Sequence, residues 1–218
     1  MKSNSTIVLD LDETLVHSFS SPEFIKRYEI YGNNYEKFHP PGEESLCYSL
    51  YTDDIIWGTF RPHLKTFINE VSDIFDNVII WSAGTKDYVS EIVRLIYDGE
   101  TKIPKLIQSR QHCQLSRGYY LKTRDLETYI HKNKLDMDFD INRTVILDDK
   151  NYTFLRNRKN GILIPPYSPG EYSDSPSIDK LLDRKDTALL DFVNWCKRVK
   201  IKDVTCFTSI DKNNIFNV

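Results

Sequence analysis

The chain holds 218 residues, a length one core with insertions can fill, and its 40% apolar against 28% charged composition excludes wholesale disorder. A formal net charge of -3 gives no general attraction to a polyanionic backbone, which excludes direct nucleic-acid binding as the main task. No apolar run of signal-peptide or membrane-span length occurs, and Cys47, Cys113, Cys196 and Cys206 form no C-x-x-C pair, so a membrane anchor, a disulfide framework and structural zinc are also set aside. The expectation is a soluble, monomeric, intracellular protein with one domain over residues 1–218. Nucleus and cytoplasm both stay open, because no basic tract marks nuclear import.

In chain order, Thr6 to Leu9 is an apolar run without alternation, the pattern of a strand buried on both faces. From about 19 to 60, the segments Phe24 to Tyr31, Leu46 to Tyr51 and Ile55 to Phe60 are separated by Gly32-Asn33-Asn34 and Asp53-Asp54, and predict a small antiparallel insertion. Pro62 then opens a helix whose apolar face is Leu64, Phe67, Ile68, Val71 and Ile74. Val78 to Trp81 is a second strand, and Tyr88, Val89, Ile92, Val93 and Ile96 repeat the helical spacing after it. Asp98 to Leu121 has no period and predicts loop and short strand, while Leu126, Tyr129 and Ile130 suggest a shorter helix.

Thr144 to Leu147 and Ile162 to Ile164 are two further buried strands. The basic cluster Arg156, Asn157, Arg158 and Lys159 reads as a solvated turn before Gly161. Ala188 to Val199 is a last helix, and the tail after Cys206 is expected to be peripheral. This alternation predicts an α/β fold, doubly wound around a mostly parallel sheet, with a small antiparallel β insertion after the first strand. Ligands in such sheets sit beyond the carboxyl ends of the strands.

The residues at those ends carry the chemistry. Asp10 ends the first strand, Asp12 follows two positions later, and Thr14 two after that. An Asp-x-Asp pair alone is weak, since it also occurs in sugar transferases and on plain acidic surfaces. A calcium loop is excluded because the sixth position holds no glycine. Two carboxylates at a buried strand end repel unless a cation lies between them, and Mg²⁺ suits few carboxylates plus phosphate oxygens. Asp10 could then attack phosphorus to form an aspartyl phosphate, with Asp12 as general acid and base.

The string from Ile7 to Leu15 resembles the first motif of the haloacid dehalogenase superfamily, Asp-x-Asp-x-Thr after a buried strand. Ser82 follows the second strand, Lys122 lies before the third, and Asp148 and Asp149 close the third, in the order that superfamily requires. Leu9 through Ser18, Phe60-Arg61-Pro62-His63, Trp81-Ser82-Ala83, Arg110 through Cys113, Arg117 through Lys122 and Val145 through Asp149 look like the small phosphatases of the RNA polymerase II C-terminal domain. The resemblance implies Asp10 as nucleophile and Asp12 as acid/base that also lends magnesium its main-chain carbonyl. It further implies Thr14, Ser82 and Lys122 on the phosphate side, Asp10, Asp148 and Asp149 at the metal, with Asp149 as its direct ligand and Asp148 as a supporting acid that orients metal-bound water, and Arg110 along a peptide groove.

Tyr88 matches an aromatic at the mouth of such sites, with core packing as its other reading. The chain departs from the family pattern at Ser82 for Thr, Gly84 for Ser, Asp149-Lys150 for Asn-Ser-Pro, and Ser20 for an aromatic. The insertion of some forty residues is too small for a lid, so the site should stay open to a phosphorylated tail or loop of a protein, such as a phosphoserine peptide of the polymerase tail. Tyr28, Tyr31, Tyr48, Tyr51 and Trp57 could contact it or form a minicore of their own. Two rivals remain at this point, an idle phosphopeptide-binding protein and a small-molecule phosphatase of the same superfamily.

Overall fold

The computed structural model describes residues 4–19, 23–43, 45–51, 55–121, 139–169 and 177–216. Its centre is a five-stranded parallel sheet in the order β10-β9-β1-β5-β6. These strands are β1 (Thr6–Leu9), β5 (Asn77–Trp81), β6 (Leu106–Gln108), β9 (Thr144–Asp148) and β10 (Gly161–Leu163). Every residue of β1, β5 and β9 is buried, which is why their sequences are apolar at successive positions. From β1 the chain winds outward to β5 and β6, then returns to β9 on the other flank of β1, so the switch point lies at the carboxyl end of β1.

Register fixes what meets there. Leu9 pairs with Ile80 on one side and with Leu147 on the other, so Asp10 emerges level with Trp81 and Asp148. The opposite end is pinned by Ser5, whose main-chain N and hydroxyl donate to Asp76 Oδ2 at 2.9 and 2.7 Å just before β5.

Three helices cover one face. They are α3 (Leu64–Ile74), α4 (Lys86–Ile96) and α6 (Ala188–Arg198), and their buried stripes pack with Ile7, Leu9, Ile80, Val145 and Leu147. Burying a residue such as Phe67 or Phe192 in this layer contributes about 1.5–3 kcal/mol. On the other face Val8, Ile79, Trp81 and Ile146 meet Phe154, with Cys113, Phe139 and Ile141 from the return connection. Predicted helical residues Leu126, Tyr129 and Ile130 lie outside the described residues.

The insertion is antiparallel, in the order β2-β4-β3, from β2 (Val16–Phe19), β3 (Cys47–Tyr51) and β4 (Ile55–Phe60). It differs from expectation in one strand. Val16–Phe19 supplies it, whereas Glu23–Arg27 forms the short helix α1 and Tyr35–Phe38 the short helix α2. Glu29, Asn33 and Asn34 explain the difference. The Glu29 carbonyl accepts from Gly32 N and Asn34 N, and its side chain accepts from Asn33 Nδ2 at 2.8 Å, so local turn bonds replace a ladder. Tyr28, Ile30, Phe38, Cys47, Trp57 and Leu181 make a minicore, Leu181 arriving from α5 (Ile178–Leu181).

A second correction concerns the tail. Phe207 is fully buried, edge-on to Phe75 with ring centroids 6.2 Å apart and beneath the Arg143 guanidinium. Ile215 is buried as well, so the segment after Cys206 is part of the core.

Candidate active site

At the carboxyl edge of β1 and β9, Asp10, Asp148 and Asp149 are all buried, and one oxygen from each lies within 4.8 Å of the others. Three carboxylates so close, out of water, raise one another's cost of ionisation. Burial is the largest influence on Asp149, and the charges of Asp148 and Glu13 add to it. Together they hold its carboxyl above the usual range despite the Lys150 ammonium bonded to Oδ2. For Lys150 the balance is reversed. Burial disfavours its charge, but Asp149 and Glu13 outweigh that and raise its pKa.

Asp149 Oδ1 is buried and has no hydrogen-bond partner among the described residues. An orphaned carboxylate oxygen beside two more acids fits a hard divalent cation with oxygen ligands. Asp10, Asp148 and Asp149 are therefore the residues that could hold magnesium. Asp148 is additionally tied by Lys150 N, which donates to its Oδ1 at 2.8 Å.

The loop from Asp10 to Val16 is wound tightly. The Leu11 carbonyl accepts from Thr14 N, Leu15 N and Val16 N, Glu13 sits in the left-handed region at φ 57°, and Glu13 N donates to the Val16 carbonyl. Thr14 is buried and gives its hydroxyl to Asp10 Oδ2 at 3.3 Å, so its observed contact is with Asp10 itself.

Arg61, whose role the motif alone did not reveal, buttresses this loop from behind. Its Nη1 donates to the Thr14 carbonyl at 3.0 Å and its Nη2 to the Pro165 carbonyl at 2.8 Å. The signals available were its place in the Phe60-Arg61-Pro62-His63 string and between an apolar strand and an apolar helix.

Asp12 reaches the end of β5. Ser82 Oγ donates to Asp12 Oδ2 at 3.2 Å and accepts from Gly84 N, while the Tyr88 hydroxyl donates to Asp12 Oδ1 at 2.5 Å. Tyr88 thus satisfies both readings, with a ring in the core and a hydroxyl at the site. Arg110 stands at the rim, its Nε on the Ala83 carbonyl at 2.7 Å and its guanidinium over the Tyr120 ring. Lys122 and Ser20 lie outside the described residues.

An open cleft of about 200 Å³ joins these parts, lined by Asp10, Asp12, Asp149, Tyr119, Tyr120 and Tyr152 among others. A larger cleft of about 360 Å³, between β3 and the facing ends of α3 and α4, contains none of the clustered acids.

A parallel sheet with its acids at the switch point and an antiparallel insertion after β1 is a haloacid dehalogenase-like α/β fold. The solved structure of Fcp1, an essential RNA polymerase II CTD phosphatase, shares it with a TM-score of 0.66 at 16% identity, over 90% of this chain and 62% of that one. Residues 5–205 match the family of NLI interacting factor-like phosphatases, and the chain belongs to that family. It is 26% identical over 89% of its length to CTD small phosphatase-like protein 3 of Caenorhabditis elegans, and 28% over 81% to nuclear envelope morphology protein 1 of Schizosaccharomyces pombe. The human carboxy-terminal domain RNA polymerase II polypeptide A small phosphatase 1 is 23% identical over 88% of the chain. The chain spans 54%, 31% and 59% of these three curated relatives. Among the described residues no helix is long and apolar enough to cross a membrane.

Proposed function

We propose that the chain is a magnesium-dependent phosphoprotein phosphatase that forms an aspartyl phosphate on Asp10, acting on phosphoserine or phosphothreonine in peptides like the RNA polymerase II tail. The observation that carries this reading is the convergence of Asp10, Asp148 and Asp149 at the switch-point edge, beside an open cleft that also holds Asp12. Family membership supports it, as do the relatives whose names describe small phosphatases of the polymerase C-terminal domain.

In this mechanism an Asp10 carboxylate oxygen bonds to phosphorus as the bond to the serine oxygen breaks, and Asp12 gives that oxygen its proton. Asp12, now ionised, takes a proton from water as the water oxygen bonds to phosphorus, and the acyl phosphate bond breaks to release phosphate and restore Asp10. Thr14 fixes the nucleophile's other oxygen. Ser82 and Lys122 bond the phosphoryl oxygens, and Arg110 borders the path of the peptide. Held by Asp10, Asp148 and Asp149, with the Asp12 main-chain carbonyl as a further ligand, magnesium would supply positive charge against the phosphoryl oxygens.

The small insertion leaves the cleft open, which favours a protein tail over a metabolite. The reading includes a monomer working in nucleus or cytoplasm. Its test is turnover of a phosphoserine heptad peptide and of p-nitrophenyl phosphate, with and without magnesium, beside Asp10→Asn. Magnesium-dependent release of phosphate that the substitution abolishes is the expected result. Binding of the phosphopeptide without turnover of either ester would replace the enzyme with a binding module.

A further inference from the structure

Asp12 is held from behind by a chain of hydroxyls. Tyr88 Oη lies 2.5 Å from Asp12 Oδ1 and 2.5 Å from Ser18 Oγ, Ser18 Oγ lies 2.7 Å from Tyr48 Oη, and Tyr48 faces the His17 carbonyl at 3.5 Å. The three residues come from α4, β2 and β3, so the chain ties the catalytic edge of the main sheet to the inserted sheet.

Two glycines make the room it needs. A Cβ at Gly84 would lie 2.6 Å from Tyr88 Cδ1, and one at Gly58 would collide with the Tyr48 ring and the His17 carbonyl. Tyr88 is 8% exposed and Tyr48 4%.

We propose that Tyr88, backed by Ser18 and Tyr48, is the positioning residue that aims the acid/base carboxyl of Asp12 at the leaving oxygen. The proposal rests on the reading of Asp12 as general acid. A carboxyl free to turn about its last bond presents its proton in many directions, and a misplacement near 1 Å costs about a hundredfold in rate. Tyr88 fixes Oδ1. That leaves Oδ2, beside the Ser82 hydroxyl, as the oxygen that carries the transferable proton. Each hydroxyl has one proton to give and lone pairs to accept with. Tyr88 can therefore donate to Asp12 Oδ1 while accepting from Ser18, both when Oδ2 carries the proton and after it has left, and the same contact serves both halves of the reaction.

The test compares two small esters that differ in leaving group, so that peptide contacts play no part. Phenyl phosphate leaves as a basic phenolate that needs a proton, whereas 2,4-dinitrophenyl phosphate leaves unaided. In kcat/KM, which reports steps through transfer to Asp10, Tyr88→Phe is expected to lose about 10- to 100-fold on phenyl phosphate. On the dinitrophenyl ester the expected loss is under about threefold, because that transfer needs no acid.

Ser18→Ala should show the same selectivity at about fivefold. Gly84→Ala, which moves the ring while keeping its hydroxyl, should follow Tyr88→Phe. Equal losses on both esters would make Tyr88 a purely structural residue and overturn the proposal, as would no loss on either. Failure of the phosphatase reading itself would be visible earlier, as a wild-type protein that hydrolyses neither ester.

Discussion

Asp186 Oδ2 lies 2.9 Å from Arg61 Nη2, and Oδ1 lies 3.0 Å from Nε, a two-pronged pair around a guanidinium with no solvent exposure. Asp186 Oδ1 also accepts from Ala188 N at the start of α6, while the other donors of Arg61 hold Thr14 and Pro165. One side chain therefore joins the loop behind Asp10, the segment after β10 and the entry to α6. Arg61→Met is expected to lower stability by about 3–5 kcal/mol in urea unfolding, because it strands a carboxylate and two carbonyls. Arg61→Lys should recover less than half of that, since an ammonium cannot span the fork. A loss below about 1 kcal/mol for Arg61→Met would contradict this account.

How far the fold could be read depended on what each residue does. Ile7, Val78 and Val145 were legible because parallel strands buried on both faces put apolar residues at successive positions instead of alternating them with polar ones. The faces of α3 and α4 were legible because Phe67, Val71, Val89 and Val93 recur at the helical period. Parallel strands in register end on one edge, so Asp10 and Asp148 could be placed side by side from their strands alone. Phe207 was missed since Phe207, Ile210, Ile215 and Phe216 are scattered through a polar tail at no regular period. Residues 24 to 31 misled because turn bonds from Asn33 and Asn34, absent from any hydrophobic pattern, decide their backbone. Tyr88 and Arg61 show the same limit at the site. Spacing tells where a ring or an aliphatic stem goes, and is silent on what its polar end will meet.

Asp149 Oδ1, without a hydrogen-bond partner among the described residues, gives a prediction that does not depend on turnover. Magnesium at about a hundred times its Kd should stabilise the protein by about 2.7 kcal/mol, read as a rise in Tm. Asp149→Asn should remove most of that rise. In metal-free buffer the same substitution should leave Tm unchanged or higher, because it relieves repulsion with Asp148 and Glu13. A wild-type Tm that ignores magnesium would remove Asp10, Asp148 and Asp149 as a metal centre.

Alkali should weaken the fold through Cys47 and Tyr167. Burial pushes the Cys47 thiol up to about 12. Burial, with the Asp186 charge adding to it, pushes the Tyr167 phenol up to about 12 against the opposing pull of its Thr59 bond. The unfolded chain releases these protons near about 8.5 and about 10. Between those values and about 12 the unfolded state binds fewer protons than the folded one, so stability falls as pH rises, and it is fully present below about 8.5. Urea midpoints measured from about pH 8 to about pH 10 should fall more steeply for the wild type than for Cys47→Ala. Parallel slopes would show that Cys47 ionises as freely in the folded state as in the unfolded.

Gly58 tests whether the inserted sheet and the catalytic edge are mechanically one body. It sits in β4, level with Ser18 on one side and Tyr48 on the other, and an added Cβ would run into the His17 carbonyl and the Tyr48 phenol at once. The carbonyl belongs to a paired strand, so the ladder between β2 and β4 must open locally to clear the Cβ, and the ring must move as well and take its hydroxyl from Ser18. Gly58→Ala is expected to cost about 1–3 kcal/mol by overpacking. It should also reduce phosphatase turnover by more than its effect on folded population explains, when assayed well below its Tm. Tyr48→Phe, which frees the hydroxyl's space but leaves the ring where it is, should destabilise less while losing a comparable share of activity. A Gly58→Ala protein that is destabilised yet fully active when folded would mean the inserted sheet carries no strain to Asp12.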